Sequence, residues 1–266
     1  MPLTFIRANA ITLHVDAPAR RDLPALVFSN SLGTDFRIWN DVVARLSDRF
    51  ACYRYDKRGH GLSQATEPPY AMADHVADLK ALFDHFDIES AVVCGLSVGG
   101  MIAQGFALAH PDRVRGLVLC DTGHRIGTLE LWNARIEAIG ERGIAAISEQ
   151  ILERWFSREF RETRLTELDG WRNMLTRTPL AGYLGTSYAL RDTDYTAETP
   201  RISVPTLCVV GEYDGSTPPA LMRELSGLIA GSRYELIRDA GHLPPIEQAE
   251  TLAGLILDFA GENGLG

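Results

Sequence analysis

The sequence has little of what nucleic-acid-binding and membrane proteins depend on. Only Lys57 and Lys80 among its 26 basic residues are lysine, no block of like charges occurs, and the formal net charge is -9. Because nucleic acids and anionic membranes attract a concentrated basic surface, neither is expected as a partner. No segment approaches the roughly 20 consecutive apolar residues that a membrane-spanning helix needs.

Cysteine is also scarce, and each of the four residues lies in a separate β-like apolar run: Cys52, Cys94, Cys120 and Cys208. Their spacing matches no zinc-binding pattern, so no metal is expected. A buried free thiol behaves as a small hydrophobe, and the N-terminus lacks the basic start and apolar stretch of a secretory signal. These absences predict a reduced, cytoplasmic protein, and they leave homo-oligomerisation open.

What the sequence does contain is an ordinary globular composition, with 45% hydrophobic and 23% charged residues. That balance is typical of a folded protein rather than a disordered or fibrous one. The length of 266 residues favours one large domain, or one domain with an insertion, over two independent domains.

Short apolar runs that end in glycine, aspartate or serine recur along the chain. Such runs are typical of parallel strands covered on both faces, and the segments between them return an apolar residue every three or four positions, which is helical spacing. The strand-like runs are 25–30, 50–56, 91–95, 116–121 and 206–211, and the helical segments are 39–48, 72–87 and 98–114. This alternation predicts a doubly wound, mostly parallel α/β sheet. The alternating opening, 5–16, predicts an antiparallel hairpin at the sheet edge.

The alternation stops between residues 124 and 198. This stretch holds three of the four tryptophans, and it has helical spacing at 129–143, 147–156 and 168–178. The α/β pattern then resumes at Ile202. We therefore predict a core formed by 1–123 and 199–266, interrupted by a helical lid at 124–198.

The pentapeptide Gly95-Leu96-Ser97-Val98-Gly99 follows a strand-like run and begins a helical one. A strand that turns sharply into a helix holds the central residue in strained dihedrals, and its neighbours pack too closely for side chains. This geometry exposes the serine hydroxyl above the carboxyl edge of the sheet, which predicts Ser97 as a nucleophile. Alone the pattern is weak, and the alternative is an ordinary glycine-rich turn.

A serine hydroxyl needs a base to take its proton. Of seven histidines, His242 lies in a loop between the strand-like RYELI and the helical EQAETLAGLILDF, where a sheet presents groups at its active edge. His60 is the one competitor, and a loop histidine bonded to backbone is the alternative role for His242.

The base in turn needs a carboxylate to fix its tautomer. Asp214 lies just beyond the strand-like run 206–211, with Glu212 as its competitor and a helix N-cap as its alternative role.

Backbone N–H groups can stabilise the negative oxygen of a tetrahedral intermediate. The sequence predicts two such donors, the amide of Val98 after the nucleophile and the amide of Leu32 in the loop 30–34. A plain glycine turn is the alternative for this loop. The order Ser97, Asp214, His242 is the one expected of a G-x-S-x-G hydrolase.

These motifs resemble the α/β-hydrolase family over nearly the whole chain. The segments FSNSLGTDFRIWN, RYDKRGHGLS, CGLSVGGMIAQ and GEYDGSTPP are similar, more narrowly, to the 3-oxoadipate enol-lactonases. The resemblance implies an α/β-hydrolase fold with an inserted helical lid, hydrolysis of a small anionic lactone or ester in aromatic catabolism, and no metal or organic cofactor. It also implies that the string 56–63 is a structural turn, which disfavours His60 as the base.

A lid over such a site would shape a pocket for the anion. Trp132 and Arg135 are three residues apart on a predicted helix and share a face, so Arg135 is a candidate for binding the substrate carboxylate. The alternative is a core tryptophan and a surface arginine. Other esterases, C–C bond hydrolases or perhydrolases of the same fold, and a ligand-sensing relative without catalysis, are the competing functions.

Overall fold

The structure, a computed structural model, describes residues 4–266 and contains one eight-stranded sheet. The strands are β1 (Thr4–Ala8), β2 (Ile11–Asp16), β3 (Ala25–Ser29), β4 (Ala51–Tyr55), β5 (Ala91–Leu96), β6 (Val114–Cys120), β7 (Thr206–Gly211) and β8 (Arg233–Ile237). Their order across the sheet is β1-β2-β4-β3-β5-β6-β7-β8. The neighbours from β4 to β8 in this order all pair in parallel. The predicted doubly wound, mostly parallel sheet is confirmed.

The antiparallel edge is the predicted hairpin. β1 pairs with β2 from Thr4↔Val15 to Ala8↔Ile11, and the two residues between the strands, Asn9 and Ala10, both have positive φ. That conformation matches the twist of the flanking strands in a tight hairpin turn. The hairpin joins the parallel part through the antiparallel pairing of β2 with β4.

Helices cover the sheet and fill the segment between β6 and β7. Those that follow the strands are α1 (Asn40–Leu46), α2 (Met72–His85), α3 (Val98–Ala109), α9 (Pro219–Leu228), α10 (Pro244–Glu247) and α11 (Ala249–Glu262). Those between β6 and β7 are α4 (Leu129–Arg142), α5 (Ser148–Trp155), α6 (Arg158–Thr163), α7 (Leu165–Thr176) and α8 (Leu180–Arg191). In the part of the chain that the structure describes, no helix has the length and apolar character needed to cross a membrane.

Two details of the helices differ from the sequence prediction. The helix predicted over 98–114 ends at Ala109, because Pro111 starts a separate 3-10 turn and β6 already begins at Val114. Helices α6 and α8 were not predicted. In α8, a Cβ on Gly182 would lie 1.9 Å from the carbonyl oxygen of Gly59, so this glycine allows a close backbone approach that helical periodicity does not reveal.

The parallel strands bring their carboxyl ends to one edge of the sheet, where ligands of open α/β sheets bind. The loops that follow β3, β5, β6, β7 and β8 all start at this edge. Residues far apart in the sequence, from Ser31 to His242, therefore meet there.

Candidate active site

Ser97 occupies a sharp turn between β5 and α3, with φ 59° and ψ -117°. This positive φ is unusual for a residue with a side chain and is maintained only where the surrounding structure enforces it. The flanking glycines explain the close packing. A Cβ on Gly95 would lie 2.2 Å from the carbonyl oxygen of Gly99, and a Cβ on Gly99 would lie 2.2 Å from that of Ser29. The turn therefore requires glycine at both positions and places the serine side chain at the carboxyl edge.

The side chains of His242 and Asp214 bond directly to each other. Nδ1 of the imidazole is 2.9 Å and 3.0 Å from the two carboxylate oxygens, and both residues are buried. The amides of Ser216 and Thr217 and the Thr217 hydroxyl also donate to the Asp214 carboxylate, at 2.7, 3.0 and 2.7 Å. Burial raises the pKa of this carboxyl, but the charge and hydrogen bond of His242 and the Thr217 donors outweigh burial and lower its pKa overall.

The two competing residues lie in other environments. Glu212 is exposed and accepts from the Asp239 amide at 3.4 Å, so it is Asp214 that the structure brings to His242. The His60 ring is fully buried, with Nε2 accepting from the Gly33 amide at 3.0 Å and Nδ1 bonded to the Arg58 carbonyl at 3.1 Å. Burial, and then the nearby charge of Lys57, lower the pKa of His60. His60 therefore has a neutral ring with both nitrogens occupied.

The amides of Leu32 and Val98 follow the carboxyl ends of two neighbouring strands. These strands are adjacent because β3 pairs with β5, with Ser29 opposite Gly95. Val98 is the first residue of α3, where helix geometry leaves the N–H without an intrahelical acceptor. Leu32 lies in the turn after β3. Within residues 4–266, no backbone carbonyl accepts a hydrogen bond from either amide. Both donors are therefore free for a ligand.

A cavity of about 390 Å³ joins these groups to the helices between β6 and β7. Its floor includes Ser31, Leu32, Ser97 and His242. Nε2 of His242, the nitrogen opposite Asp214, is 3.4 Å from the Ser31 hydroxyl. The helices contribute the opposite wall, which includes Trp132, Arg135, Arg142, Gln150, Arg154 and Trp155.

The guanidinium of Arg135 stacks over Trp132 and Tyr183, with its central carbon 5.3 Å and 5.7 Å from the two ring centroids. The Nη2 nitrogen of Arg135 donates to the Tyr183 hydroxyl. The Nε nitrogen of Arg135 is buried and has no hydrogen-bond partner among the described residues. Trp132 is itself fixed by a 2.6 Å bond from its indole nitrogen to the Ile126 carbonyl. Burial, and then the charge of Arg135, lower the pKa of Arg154, which indicates that positive potential accumulates on this wall.

The family model for the alpha/beta hydrolase fold matches residues 24–249. The chain belongs to the α/β-hydrolase family. Two curated proteins of Acinetobacter baylyi are similar to it. The protein named 3-oxoadipate enol-lactonase 2 is 32% identical over 245 residues, covering 92% of this chain and 91% of that protein. The one named 3-oxoadipate enol-lactonase 1 is 33% identical over 248 residues, covering 93% and 92%.

A solved structure, the enol-lactonase from Burkholderia xenovorans, matches with a TM-score of 0.94 and 36% identity, covering 97% of this chain and 100% of that one. The resemblance inferred from the sequence and the fold class are confirmed. This α/β-hydrolase is an ester-hydrolysing enzyme.

Asp121 was not identified from the sequence, and it follows β6 at the carboxyl edge of the sheet. Its Oδ1 accepts from the Gly211 amide at 2.8 Å, and its buried Oδ2 has no donor among residues 4–266. Asp121, Asp214 and His242 place one ligand atom each within 4.8 Å of one another. A cation could fit such a group on distance alone, but Nδ1 of His242 and the Asp214 oxygens already bond to each other.

Thr217 was missed as well, although it lies in the predicted Asp214 segment. Its hydroxyl is 2.7 Å from Asp214 and 3.3 Å from Nδ1 of His242. A threonine three residues after the acid was the available signal, since an aspartate that caps a turn accepts hydrogen bonds from groups two or three residues later.

Proposed function

We propose that the protein is a serine-dependent lactonase that opens 3-oxoadipate enol-lactone to 3-oxoadipate in aromatic catabolism. The observation that carries the proposal is one cavity with Ser97 and His242 on its floor and arginines on its opposite wall. The floor provides the groups for acyl transfer and the wall provides charge complementary to a small carboxylate. The similarity to enol-lactonases supports the choice of lactone.

In the first step, the Ser97 oxygen attacks the lactone carbonyl carbon while Nε2 of His242 accepts the hydroxyl proton. Asp214 bonds to Nδ1–H, which keeps Nε2 available as the base and stabilises the imidazolium that forms. The carbonyl oxygen becomes an oxyanion, and the free amides of Leu32 and Val98 donate to it.

Collapse of this intermediate breaks the ring C–O bond and leaves an acyl group on Ser97. The imidazolium returns its proton to the departing enol oxygen, and the enol then tautomerises to the ketone. A water molecule deprotonated by His242 attacks the acyl carbon, and the second tetrahedral intermediate releases the carboxylate and restores the serine hydroxyl. The proton transfers at the acyl carbon all pass through Nε2 of His242, and the proposed mechanism uses no metal or organic cofactor.

The helices at 124–198 act as the lid in this proposal. Trp132 and Arg135 bind the substrate, with the guanidinium pairing with its carboxylate. Arg135 suits this task because its partners in the structure are a tyrosine hydroxyl and two aromatic rings rather than an acid. A neutral ester would gain nothing from this charge, which favours an anionic lactone over a simple alkyl ester.

The proposed setting is the cytoplasm, where the four buried free thiols would stay reduced. The proposed partner is the small substrate alone, without nucleic acid or membrane, since the chain carries a net charge of -9.

Substrate choice is tested by comparing kcat/KM for the enol-lactone with kcat/KM for p-nitrophenyl acetate on the same preparation. We expect the lactone to be favoured by orders of magnitude. Faster hydrolysis of the acetate ester would reject the lactonase and favour a general esterase of the same fold.

The nucleophile is tested by Ser97→Ala, with Ser47→Ala as the control, because Ser47 is exposed and lies outside the cavity. We expect Ser97→Ala to lower kcat by several powers of ten, because the residual rate comes only from binding and the oxyanion donors. An unchanged rate would remove Ser97 from the mechanism. If the wild-type protein bound the lactone but hydrolysed none of these substrates, a ligand-sensing role would replace the enzymatic one.

A further inference from the structure

Lys57 is a fully buried lysine beneath the loop that follows β3. Its side chain is 1% exposed, and burial lowers the pKa of its amine well below the ordinary range against the opposing charges of Asp56 and Asp35. Nζ donates to the carbonyl of Ser31 at 2.5 Å and approaches that of Thr34 at 3.4 Å. A buried amine is costly unless its hydrogen bonds are satisfied, so these two carbonyls determine where it lies.

The Ser31 carbonyl collects donors from several groups. Besides Lys57, the Thr34 hydroxyl donates to it at 2.9 Å and the Thr34 amide at 3.3 Å. Rotation of this peptide would break all of these hydrogen bonds and leave a buried amine without a main acceptor. The orientation of the carbonyl is therefore strongly fixed.

The same peptide bond carries the N–H of Leu32. A trans peptide is planar, so its C=O and N–H point in opposite directions. With the Ser31 oxygen directed at the buried amine, the Leu32 N–H points away from Lys57, and Ser31 and Leu32 both line the cavity. The next amide, that of Gly33, is fixed separately by His60 at 3.0 Å.

We propose that Lys57 is a positioning residue for the oxyanion hole, which holds and polarises the Ser31–Leu32 peptide so that the Leu32 N–H faces the reacting carbonyl. This inference rests on the proposed function, because it assigns Leu32 as an oxyanion donor. Without Lys57 only the two Thr34 donors hold this peptide, so it rotates more readily, and rotation replaces a donor by a carbonyl oxygen that repels the developing negative charge. An amine donates whether or not it is protonated, so the role does not depend on its charge.

The test is Lys57→Met, which removes the donor and keeps an unbranched apolar side chain in the buried space. Lys80→Met is the matched control, because Lys80 is the other lysine of the chain and is half-exposed on α2, where it pairs with Asp84. The readouts are kcat and KM on the better substrate, and the inhibition constant of phenylboronic acid, which forms a tetrahedral adduct with a serine nucleophile and places a negative oxygen in the oxyanion hole.

We expect Lys57→Met to lower kcat by about 10- to 100-fold, less than the ~10²–10³ that deletion of an oxyanion donor costs. Boronate affinity should fall by a similar factor while KM changes by less than about twofold, since ground-state binding does not use the oxyanion donor. Lys57→Met with wild-type kcat and boronate affinity would overturn the proposal. A fall in kcat with unchanged boronate affinity would also overturn it, because a general loss of structure does not act through the oxyanion.

Thr34→Val provides a second route if Lys57→Met does not fold, as judged by circular dichroism and thermal melting. It removes another donor to the same carbonyl, and we expect roughly a 3- to 10-fold parallel loss of kcat and boronate affinity, as for one neutral hydrogen bond. No change in either would overturn the proposal. Failure of the proposed function has a different signature: wild-type protein would hydrolyse p-nitrophenyl acetate faster than the enol-lactone, or Ser97→Ala would retain activity, and neither result depends on Lys57.

Discussion

Two buried aspartates at the carboxyl edge of the sheet have pKa values that are shifted in opposite directions. Asp214 receives donors from His242 and from the turn 216–217, which outweigh burial and lower its pKa. Asp121 receives a single amide, so burial and then the charge of Asp214 raise its pKa well above the ordinary range. The charge and hydrogen bond of His242 therefore make Asp214 the carboxyl that ionises more readily, and it is the one bonded to the imidazole. We expect Asp214, rather than Asp121, to orient the base.

Replacing the orienting acid tests this assignment. Asp214→Asn should lower kcat by about 10³–10⁴-fold, because an amide favours the wrong imidazole tautomer and cannot stabilise the imidazolium. Steady-state kinetics measure the effect, and Glu212→Gln is the control because Glu212 is exposed beside the same turn. A near-wild-type Asp214→Asn with an impaired Glu212→Gln would transfer the role to Glu212.

Arg135 is expected to set the preference for an anionic substrate. Arg135→Met should raise KM for the enol-lactone about 10- to 100-fold, the range of one charged hydrogen bond, while KM for neutral p-nitrophenyl acetate stays within about threefold. Both constants are measured on one preparation. Arg158→Met, on exposed α6, serves as the control. Equal KM increases for the two substrates would contradict a charge-based role.

The candidate site residues that the sequence could indicate are those next to a recognisable element. Ser97, Asp214 and His242 each follow a strand, and the strands were visible as apolar runs. Lys57 and Asp121 were not identified, because their importance comes from contacts with Ser31 and with Asp214, which are distant in the sequence. A lysine after an aspartate carries no local signal that its amine is buried.

At the scale of elements, the loop that carries His242 is hydrogen-bonded to the end of α5 and, through Glu247, to the residue that precedes α6. The His242 amide donates to the Trp155 carbonyl at the end of α5, at 2.8 Å. Glu247 of α10 accepts from the Gly241 amide at 2.7 Å and from the Ser157 amide at 3.1 Å. His242 and the helix wall of the cavity are thus linked by one backbone hydrogen bond and by the Glu247 carboxylate.

Removing this link should affect catalysis and stability together. Glu247→Ala leaves two largely buried amides without their acceptor, each costing about 1–3 kcal/mol, and a displaced His242 loop should lower kcat about 10-fold. Glu247→Gln keeps one acceptor oxygen and should lose less in both. Kinetics and thermal melting are the measurements, with exposed Glu250→Ala of α11 as the control. Equal losses of kcat and of melting temperature in Glu247→Ala and Glu247→Gln would contradict the role of Glu247 as an acceptor.

Strands were easier to predict than the helices between β6 and β7 for a physical reason. A parallel strand buried on both faces has a continuous apolar run, as in β5 and β7, whose residues are all buried. Helices α6 and α8 lack such a run or a regular apolar stripe. α8 packs through small residues such as Gly182 and Gly185, whose close contacts appear only when the chain is folded.

At the scale of the whole molecule, charge is distributed unevenly. The chain has a net charge of -9, yet Arg135, Arg142 and Arg154 line the proposed substrate cavity. Over distances beyond about 8 Å, physiological salt screens the overall negative charge, so the local arginines dominate once a substrate is inside. The cavity can therefore favour an anion although the protein as a whole does not.

Buried Asp121 also predicts how the stability of the whole fold depends on pH. Burial and the charge of Asp214 raise the pKa of Asp121 in the folded state above the value of about 3.9 expected when unfolded. At a pH between these two pKa values the folded protein binds one proton more than the unfolded protein, so the free energy of unfolding falls as pH rises through this range.

The variant Asp121→Asn cannot ionise and keeps the acceptor for the Gly211 amide. Its melting temperature should therefore exceed that of the wild type by a margin that grows upward from about pH 4, by ~2–4 °C for each kcal/mol. Exposed Asp112→Asn should follow the wild-type profile, and a margin that stays constant with pH would show that Asp121 is ionised in the folded state.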